Sequence, residues 1–368
     1  MKKKRSFIPN GVAVYGGLTL LLILGIAAFV FRQDFSGWEK RYLADAPKNG
    51  SLVQWTLNDD LETFLSDQVP FRQQLVNLNA LAELYTGRAV QLGAWPVGDA
   101  AVEKPVRADP EVLEKRIAAM KNLAGDIPCL FLIPPTAGML RMDEMTAARR
   151  ALYAEESRVY DILTSQEDFI PLRQLFEECP ETVYYYSDHH WNNVGAELAY
   201  RAYCLAADVK AAKEDAFTYT RYFPFRGTTY TRSGLPFVRE DVLICAEPKA
   251  PVELKVQGEE TTYDHLIFPE KAITYDGYEV FLNGNHGKLT ITNPEADGGT
   301  LVVFRDSYAS SLLPYLSVNF SRIIAVDARY YTGTFRDVLR EAGSIDRILF
   351  EYSLDSLAND TSLSRKIR

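Results

Sequence analysis

The chain begins with a continuous apolar segment. No residue from Ser6 to Phe31 is charged, although four basic residues precede this run. As a helix rising about 1.5 Å per residue, residues 11–31 would cross the roughly 30 Å hydrocarbon core of a bilayer. The basic cluster predicts that residues 1–10 stay in the cytoplasm and that the rest lies outside as a single-pass protein of the cell membrane. The alternative is a cleaved signal peptide, which the long apolar run and the lack of a small-residue cleavage motif disfavour.

Residues 32–110 are predicted to form a stalk and a helical arm. The stalk has no regular apolar spacing, whereas Leu and Phe recur at helical spacing from Leu61 to Leu84. Pro70 divides this run, because proline breaks the helical hydrogen-bond ladder. Residues 93–110 are rich in Gly, Pro and Asp, a composition typical of turns.

Residues 111–368 alternate between helical and extended patterns, which predicts an α/β domain with a mainly parallel sheet covered on both faces. The segment at residues 209–299 differs, because it carries short alternating runs that predict a β-rich insertion over one edge of the sheet. The predicted helices cover Pro110–Leu123, Asp143–Thr164, Val194–Ala207, Tyr308–Leu316 and Phe335–Ala342, and the predicted strands cover Pro128–Pro135, Val183–Tyr186, Leu301–Phe304, Ile323–Val326 and Arg347–Tyr352.

The amino-acid composition and net charge of the chain limit the size of its core and the classes of partner that it is expected to bind. The chain has 368 residues, 47% hydrophobic, which is enough for one sizeable core or two domains. The formal net charge is −9 in spite of the basic N-terminus, so the body of the protein is strongly acidic. An acidic body argues against a nucleic-acid partner.

The four cysteines leave two alternatives open. In an exported domain they could form two disulfides, with three connectivities that the sequence does not separate. They could equally be free thiols, because a chain of this size folds without cross-links. None has the spacing of metal ligands. The four are Cys129, Cys179, Cys204 and Cys245.

The candidate chemistry centres on a short segment with two of the four histidines. Asp188, His189, His190 and Trp191 are consecutive. If this segment is extended, its side chains alternate, so Asp188 and His190 point to the same side. A carboxylate beside an imidazole is the acid–base half of a nucleophilic site, in which the carboxylate orients the ring and stabilises its protonated form.

Ser307 is the candidate nucleophile. It follows a predicted buried strand and precedes a predicted helix, a position that exposes its hydroxyl at the carboxyl edge of an α/β sheet. Backbone N–H groups at the start of the helix would then lie near the reacting carbon. The alternative is a helix N-cap serine, which is common in α/β proteins.

Together these segments resemble the bacterial DHHW family, relatives of the alginate O-acetyltransferase proteins with an SGNH-hydrolase-like domain. The resemblance runs from about Leu61 to the C-terminus and implies a three-layer αβα fold. It also implies that Asp188 orients His190, which takes the proton from Ser307. Arg305 stands where many SGNH enzymes have glycine. The motifs that carry the resemblance are Asp188-His189-His190-Trp191, Phe281–Gly287, Arg305-Asp306-Ser307-Tyr308 and Asp327-Ala328-Arg329-Tyr330-Tyr331.

Three further residues are candidates for substrate or oxyanion contacts, each with a structural alternative. Arg329 could bind a sugar or a carboxylate, or form a surface salt bridge. Asn285 could donate to an oxyanion, or only form a turn. Trp191 could stack on a sugar, or pack in the core. His189 and His286 are interpreted as structural.

The resemblance implies an extracytoplasmic O-acetyltransferase that acts on a cell-surface polysaccharide through an acyl-serine intermediate. A multi-pass membrane acyltransferase is the implied acetyl donor, and no cofactor or metal is expected. The same residues would serve a carbohydrate acetylesterase. A non-catalytic glycan-binding subunit of an acetylation complex is a third possibility. A metal-dependent phosphoesterase, for which Asp-His-His is also a signature, is disfavoured because its other Asp-rich metal motifs do not occur.

Overall fold

A computed structural model describes residues 10–37, 41–46, 55–86, 93–274 and 276–367. It divides the chain into two compact units, one of residues 1–91 with 234–236 and one of residues 92–233 with 237–368. The predicted cytoplasmic tail lies outside the described residues except for Asn10, as do parts of the predicted stalk. All of the candidate catalytic residues belong to the second unit.

The first unit is helical. Its elements are α1 Asn10–Val30, the short strands β1 Phe35–Ser36 and β2 Arg41–Tyr42, α2 Trp55–Gln68 and α3 Arg72–Tyr85. The predicted break at Pro70 is confirmed, because α2 ends before it and α3 begins after it. Phe71, between the two helices, adopts a left-handed conformation with φ 61°. Arg41 in β2 donates to the Asp67 carboxylate at 2.6 and 2.8 Å, which ties the strand pair to α2.

The predicted transmembrane segment, residues 11–31, forms α1. Within the described part of the chain, however, no helix is long and apolar enough to cross a membrane. The transmembrane anchor therefore stays a prediction. Part of the apolar run packs within its own unit, since Ala28 is buried and the Phe29 ring lies 4.6 Å from that of Phe64.

The second unit carries the remaining helices and strands. In chain order they are β3 Ala94–Val97, β4 Ala100–Glu103, α4 Pro110–Ala124, β5 Cys129–Leu132, α5 Ala137–Leu140, α6 Ala147–Thr164, β6 Phe169–Ile170, α7 Arg173–Glu177, α8 Asn193–Ala206, β7 Phe217–Phe225, α9 Thr228–Ser233, β8 Asp241–Pro248, β9 Glu253–Val256, β10 Thr262–Tyr263, β11 Lys288–Thr292, β12 Gly298–Arg305, α10 Ala309–Leu316, β13 Phe320–Asp327, α11 Phe335–Ala342, β14 Arg347–Glu351, α12 Leu354–Asn359 and α13 Thr361–Lys366.

An eight-stranded sheet organises this unit, with strand order β10-β9-β11-β13-β12-β14-β5-β6. The five strands from β13 to β6 are parallel, and β11, β9 and β10 continue the sheet in antiparallel pairing. The prediction of an α/β fold with a mainly parallel sheet is thus confirmed. Strand β12 lies inside the parallel part, between β13 and β14, so its carboxyl end is flanked on both sides by other strand ends.

Helices cover both faces of the sheet. Along β12, Leu301 and Val303 join one hydrophobic cluster, whereas Val302 and Phe304 join the other. The first cluster includes α8 and α10, and the second includes α4, α6, α11 and α12. Because side chains of a strand alternate between faces, a continuous apolar strand such as β12 is buried on both sides. The result is a three-layer αβα arrangement.

The predicted insertion at residues 209–299 is β-rich. It does more than lie over one edge of the sheet, as predicted, because part of it joins the sheet. Strands β9, β10 and β11 extend the central sheet itself, with β11 paired to β13. Strands β7 and β8 form a separate antiparallel pair. The insertion thereby brings residues 276–287 next to the carboxyl ends of the parallel strands, because β11 begins at Lys288 and pairs there with Val326.

Two local predictions are wrong. Val183–Tyr186 is not a strand, because only Tyr184 makes an isolated antiparallel bridge, to Trp191. The turn-rich residues 93–110 contain the β3–β4 hairpin, whose turn includes Gly98 at φ 59°. In both segments the backbone pairing depends on contacts with neighbouring residues. A pattern of apolar residues over only four positions is too short to predict such pairing.

All four cysteines are free in the structure, so the disulfide alternative is not realised. Cys204 and Cys245 are buried, in α8 and β8. Burial raises the pKa of Cys204 to about 11. Buried thiols of this kind behave as small apolar groups.

Candidate active site

Ser307 lies in the turn that joins β12 to α10, one residue before Tyr308 and two residues before the helix begins. It is half-buried and faces a cleft at the carboxyl edge of the parallel strands. Asp306 is buried and fixes the turn, because one carboxylate oxygen accepts from the Tyr308 N–H at 3.0 Å and the other from Ser353. The Ser353 N–H and hydroxyl donate at 2.8 and 2.7 Å. The turn is therefore tied to the end of β14.

The structure brings the three predicted catalytic residues together. The Ser307 Oγ lies 2.8 Å from Nε2 of His190, across 117 positions of sequence. The other ring nitrogen, Nδ1, lies 2.6 Å from Oδ1 of Asp188. These distances are within the range expected for a nucleophile, its base and the group that orients the base. The arrangement can activate a serine hydroxyl for attack on an ester.

Asp188 is held by residues of a second segment. Its Oδ2 accepts from the Thr228 N–H at 2.6 Å and from the Thr228 hydroxyl at 3.0 Å. Its Oδ1 accepts from the His190 N–H at 3.0 Å as well as from the ring. Gly227 allows this close approach, since a Cβ there would lie 2.2 Å from the Asp188 Cβ. The carboxylate therefore has little rotational freedom.

Burial and charge set the protonation states of the pair. Burial alone would raise the pKa of Asp188, but His189 and His190 outweigh it and hold that pKa well below its usual value. Burial, reinforced by the neighbouring His189, lowers the pKa of His190 below 6.5. At neutral pH the imidazole is consequently uncharged and able to accept a proton, with an ionised carboxylate behind it.

Aromatic rings fix the plane of the imidazole. The Tyr278 ring stacks on His190 with centroids 4.0 Å apart and planes 4° apart. Tyr308 meets the same imidazole edge-on at 4.9 Å. Ser311 in α10 accepts from the Trp191 indole N–H at 2.8 Å and lies 3.1 Å from the Tyr278 hydroxyl. The ring nitrogens of His190 are thus aimed by packing as well as by hydrogen bonds.

The cleft has two lobes that meet at Ser307, and His189 and Arg329 line both. The Glu103 lobe has a volume of about 190 Å³, and its lining includes Glu103, Lys104, Thr136, Arg232, Asp355 and Ser356. The Asn285 lobe has a volume of about 180 Å³, and its lining includes Asp276, Tyr278, Glu279, Phe281, Gly284 and Asn285. His190 lines only the Asn285 lobe.

Two of the three other candidate residues reach the cleft. Arg329 forms a salt bridge with Asp327 at 2.6 Å, as its structural alternative predicted, and still lines both lobes. Although burial works against its charge, the bond to Asp327 raises the pKa of Arg329 above its usual value. Asn285 is exposed and lines the lobe named after it.

Trp191 does not reach the cleft. Its side chain is fully buried in the core against Phe176 and Tyr308, so the prediction of sugar stacking is wrong and the packing alternative is right. His286 donates from Nε2 to the Asn283 carbonyl at 3.1 Å and shapes that loop, whose Leu282 and Asn283 both have positive φ. His189 lies in the cleft wall, with Nδ1 2.9 Å from the Thr228 hydroxyl.

Asp188, His189 and His190 are also the residues that could hold a metal ion, because one ligand atom from each lies within 4.8 Å of the others. Their ring nitrogens and oxygens already take part in hydrogen bonds with one another, Thr228 and Ser307. An ion would have to displace these bonds, including the one that links the base to the serine. The donor set therefore fits acid–base chemistry better than metal binding.

Several supporting residues were not predicted. Thr228, Tyr278 and Ser353 carry no catalytic signature, because Thr, Tyr and Ser are common surface and core residues. Thr228 and Gly227 belong to a Gly-Thr-Thr segment in the insertion, and only the fold shows that it lies under Asp188. A glycine beside a hydroxyl residue in an otherwise bulky segment is the one local signal for such close packing.

A model of a known protein family matches the part of the chain that contains these residues. Residues 169–326 match the family model described as DHHW protein, a segment that includes Asp188, His190 and Ser307. The resemblance to the DHHW family is thereby confirmed. No curated protein matches the chain at a significant level.

Solved structures share the fold at low sequence identity. A DHHW family protein from Eubacterium siraeum is similar with a TM-score of 0.62 and 18% identity, over 73% of this chain and 92% of that one. Bacillus cereus PatB1, in a structure with a sulfonyl adduct, has a TM-score of 0.60 and 20% identity, over 74% of this chain and 98% of PatB1. The O-acetyltransferase domain of Pseudomonas putida AlgJ is less similar, with a TM-score of 0.43 and 14% identity, over 74% and 95% of the two chains. That last likeness is too weak to carry an argument.

Proposed function

We propose that the protein is an O-acetyltransferase that transfers acetyl groups to hydroxyls of a polysaccharide through an acyl-Ser307 intermediate. The observation that carries the proposal is the continuous hydrogen-bonded chain from the Ser307 hydroxyl through His190 to Asp188, at 2.8 and 2.6 Å. A triad of this geometry at the carboxyl edge of an α/β sheet is suited to acyl transfer. The resemblance to relatives of alginate O-acetyltransferases favours a sugar hydroxyl as acceptor.

In the first step, the Ser307 Oγ attacks the acetyl carbonyl while its proton passes to Nε2 of His190. The bond between the carbonyl carbon and the donor's leaving group breaks, and the leaving group takes that proton. In the second step, His190 removes the proton of an acceptor hydroxyl, whose oxygen attacks the acyl-serine. The ester bond to Ser307 breaks and Oγ regains its proton. Asp188 stays ionised throughout and stabilises the imidazolium.

The oxyanion of each tetrahedral intermediate needs donors opposite His190. The backbone N–H of Ser307, at the N-terminal end of α10, is suited to this role. We assign the second donor to the Asn285 side chain, which lines the same lobe as Ser307. Arg329 lies in the wall of both lobes and adds positive charge near the reacting carbon.

The two lobes have different tasks in this scheme. Every hydroxyl that leaves or enters must exchange a proton with His190, and His190 lines only the Asn285 lobe. The donor's leaving group and the acceptor sugar therefore use the Asn285 lobe in turn. The Glu103 lobe, on the other side of Ser307, is left for the acetyl group that Ser307 carries between the two steps. A lobe of about 180 Å³ holds the volume of roughly six waters, which suits a single sugar unit.

The experiment uses purified protein and an activated acetyl ester. We expect mass spectrometry to detect a transient acetyl group on the peptide that contains Ser307, and an acetylated product when an oligosaccharide acceptor is added. Ser307→Ala should abolish acylation, with a loss of at least about a thousandfold, and leave the melting temperature unchanged. Undiminished turnover by Ser307→Ala would contradict the proposal.

The alternative reaction, removal of acetyl groups by an esterase, uses the same triad with water in place of the acceptor. The ratio of transferred to hydrolysed acetyl groups at rising acceptor concentration separates the two. We expect transfer to increase with acceptor at the expense of free acetate. A ratio that does not respond to any glycan acceptor would favour the esterase.

A third reading, a non-catalytic glycan-binding subunit, predicts full polysaccharide acetylation in cells that carry only the Ser307→Ala variant. We expect acetylation to be lost instead.

The acetyl donor and the location are also proposals: a multi-pass membrane acyltransferase supplies the acetyl group, and the catalytic unit works outside the cytoplasm. The basic residues before the uncharged segment from Ser6 to Phe31 support export. Protease treatment of intact cells should degrade the catalytic unit if it is exported.

A further inference from the structure

A fully buried arginine lies beside the nucleophile and has no part in the triad. Arg305 is the last residue of β12, two positions before Ser307, and none of its side chain is exposed to solvent. Arginine is rarely buried to this extent without a specific role, because removing its charge from water is costly. Its surroundings therefore need an explanation.

Arg305 holds the turn from both sides of Ser307. Its Nη1 donates to the Asp306 carbonyl at 3.2 Å and to the Ser310 hydroxyl at 2.9 Å. Asp306 precedes the nucleophile and Ser310 lies in the first turn of α10. A single guanidinium thus connects the end of the strand to the start of the helix.

The charge of Arg305 has no direct partner among the described residues. Across the sheet it is in register with Asp327 on one side and Glu351 on the other. Asp327 forms its salt bridge with Arg329. Glu351 is fully buried, and neither of its carboxylate oxygens has a hydrogen-bond partner. The Nε and Nη2 atoms of Arg305 are likewise without partners.

The state of Glu351 explains how this arrangement is tolerated. Burial, and then the charge of Asp306, raises the pKa of Glu351 well above its usual value, although Arg305 lowers it, and the raised pKa favours the protonated carboxyl. With Glu351 neutral, the positive charge of Arg305 behind the turn has no salt bridge of its own, and the carboxylates of Asp327 and Asp306 stabilise it through space. Although burial lowers the pKa of Arg305, an arginine remains protonated in proteins.

We propose that Arg305 is a positioning residue for Ser307, which fixes the turn between Asp306 and Ser310 and keeps a buried positive charge behind the nucleophile. This inference rests on the proposed acyl transfer at Ser307. A misplacement of the nucleophile by about 1 Å costs roughly a hundredfold in rate. A positive charge two residues before Ser307 would also disfavour protonation of the base that Ser307 contacts, so we expect its removal to narrow the active range at low pH.

Other groups act on His190 and must stay unchanged in the test. Asp188 and His189 act from the segment of His190 itself, and Asp306 acts from the turn that carries Ser307. The aromatic rings packed against His190 are those of Tyr278 and Tyr308. Around Arg305 the charged or titratable groups are Asp306, Asp327, Arg329, Glu351 and His286. A substitution at position 305 leaves all of these residues in place, although removing the charge of Arg305 also acts on the pKa values of Glu351 and His286.

Two variants remove the contacts and the charge of Arg305 to different extents. Arg305→Gln removes the charge and, because its shorter side chain ends near the position of Nε, the Nη1 bonds as well. Arg305→Lys keeps the charge at the end of a long side chain but not the planar guanidinium. The probe is phenylmethanesulfonyl fluoride, and the measurement is its second-order rate of reaction with Ser307 as a function of pH. We expect Arg305→Gln to react about a hundredfold more slowly, and the fall of its rate at low pH should begin at a higher pH than in the unchanged protein. Arg305→Lys should react about tenfold more slowly, and its rate should fall at the same pH as in the unchanged protein.

Glu351→Gln is the matched control, because a neutral amide replaces a carboxyl that we infer is already neutral. It should react within about twofold of the unchanged protein. Thermal unfolding of each variant shows whether it is folded. If Arg305→Gln does not fold, the rates of Arg305→Lys and Glu351→Gln test the inference. Equal rates and equal acid limbs in the unchanged protein and in the folded arginine variants would overturn the inference. A strong effect of Glu351→Gln would also overturn it, since it would reveal an ion pair. If the unchanged protein does not react at all, the proposed function fails instead.

Discussion

Two buried carboxylates of the site are held in nearly the same way and do different work. Asp188 accepts from the N–H and the hydroxyl of Thr228, and Asp306 accepts from the N–H and the hydroxyl of Ser353. The remaining oxygen of Asp306 binds a backbone N–H, that of Tyr308, whereas the remaining oxygen of Asp188 binds the reactive imidazole. One carboxylate therefore stabilises a turn, and the other stabilises a base.

This difference between the two carboxylates reflects how the structure positions the serine Ser307 and the base His190. Ser307 is positioned largely by backbone geometry, because it follows a strand that is hydrogen-bonded on both sides and precedes a helix, while the side chains of Asp306 and Arg305 brace the turn between them. His190 lies in a segment without a regular strand, so side-chain bonds and ring packing must position it. We expect the base to be the more easily disturbed of the two.

Among the variants that compare the two carboxylates, the largest effect should come from closing the space under Asp188. Gly227→Ala would place a Cβ 2.2 Å from the Asp188 Cβ and 2.3 Å from its Oδ2. We expect a loss of about a hundredfold in kcat/KM and of about 1–3 kcal/mol in the free energy of unfolding, because the carboxylate must move. Gly37→Ala, with no atom within 4 Å of the added Cβ, is the control. Unchanged kcat/KM for Gly227→Ala would show that Asp188 can shift without cost.

The pH dependence tests the state of the base. His190 must be neutral to accept a proton, and burial lowers its pKa below 6.5. We expect kcat/KM to be constant near neutral pH and to fall about tenfold per pH unit only below the lowered pKa. Asp188 adds no limb in this range, because its own pKa is held well below the usual value. An acid limb centred above pH 6.5 would contradict the geometry of a buried imidazole.

Paired variants compare the two carboxylates directly. Thr228→Val and Ser353→Ala each remove a hydroxyl donor and leave the backbone donor in place. We expect Thr228→Val to lower kcat/KM about tenfold, because the orientation of His190 depends on Asp188. Ser353→Ala should act on stability instead, by about 1 kcal/mol, since it also removes the N-cap of α12.

Activity assays and urea unfolding of the same two proteins make this comparison. If Ser353→Ala lowers activity as much as Thr228→Val without loss of stability, the nucleophile turn is as sensitive as the base. That result would contradict the division between backbone and side-chain positioning.

The smallest effect should come from Tyr278→Phe. The ring that stacks on His190 stays, and only the hydroxyl contact with Ser311 is lost. We expect kcat/KM to change by about twofold or less. Tyr278→Leu, which removes the stacked ring, is the comparison and should lower kcat/KM by about tenfold, because the imidazole gains freedom. Equal activity of the two variants would show that the stacking has no role in the position of the ring.

Sequence patterns were sufficient for the parallel part of the second unit. The boundaries of α11 were predicted to the residue, and β12, β13 and β14 were found because strands buried on both faces are continuously apolar. The meeting of Ser307 with the Asp188–His190 pair was expected from the residue types alone. The strand at Val183–Tyr186 was wrong, because its backbone bonds to the Trp191 segment and to the Asp241 side chain rather than to the central sheet.

The sequence by itself determined the α/β class, and it predicted the end of β12 as the place of the candidate nucleophile and Asp188 with His190 as its candidate partners. These features depend on residue type and on short-range periodicity, which a single chain displays directly. Only the tertiary structure decided that Gly227 and Thr228 lie under Asp188, that Trp191 is core, and that Arg305 lies buried beside Glu351. These features depend on contacts between distant segments, and burial sets their energies, so no local pattern encodes them.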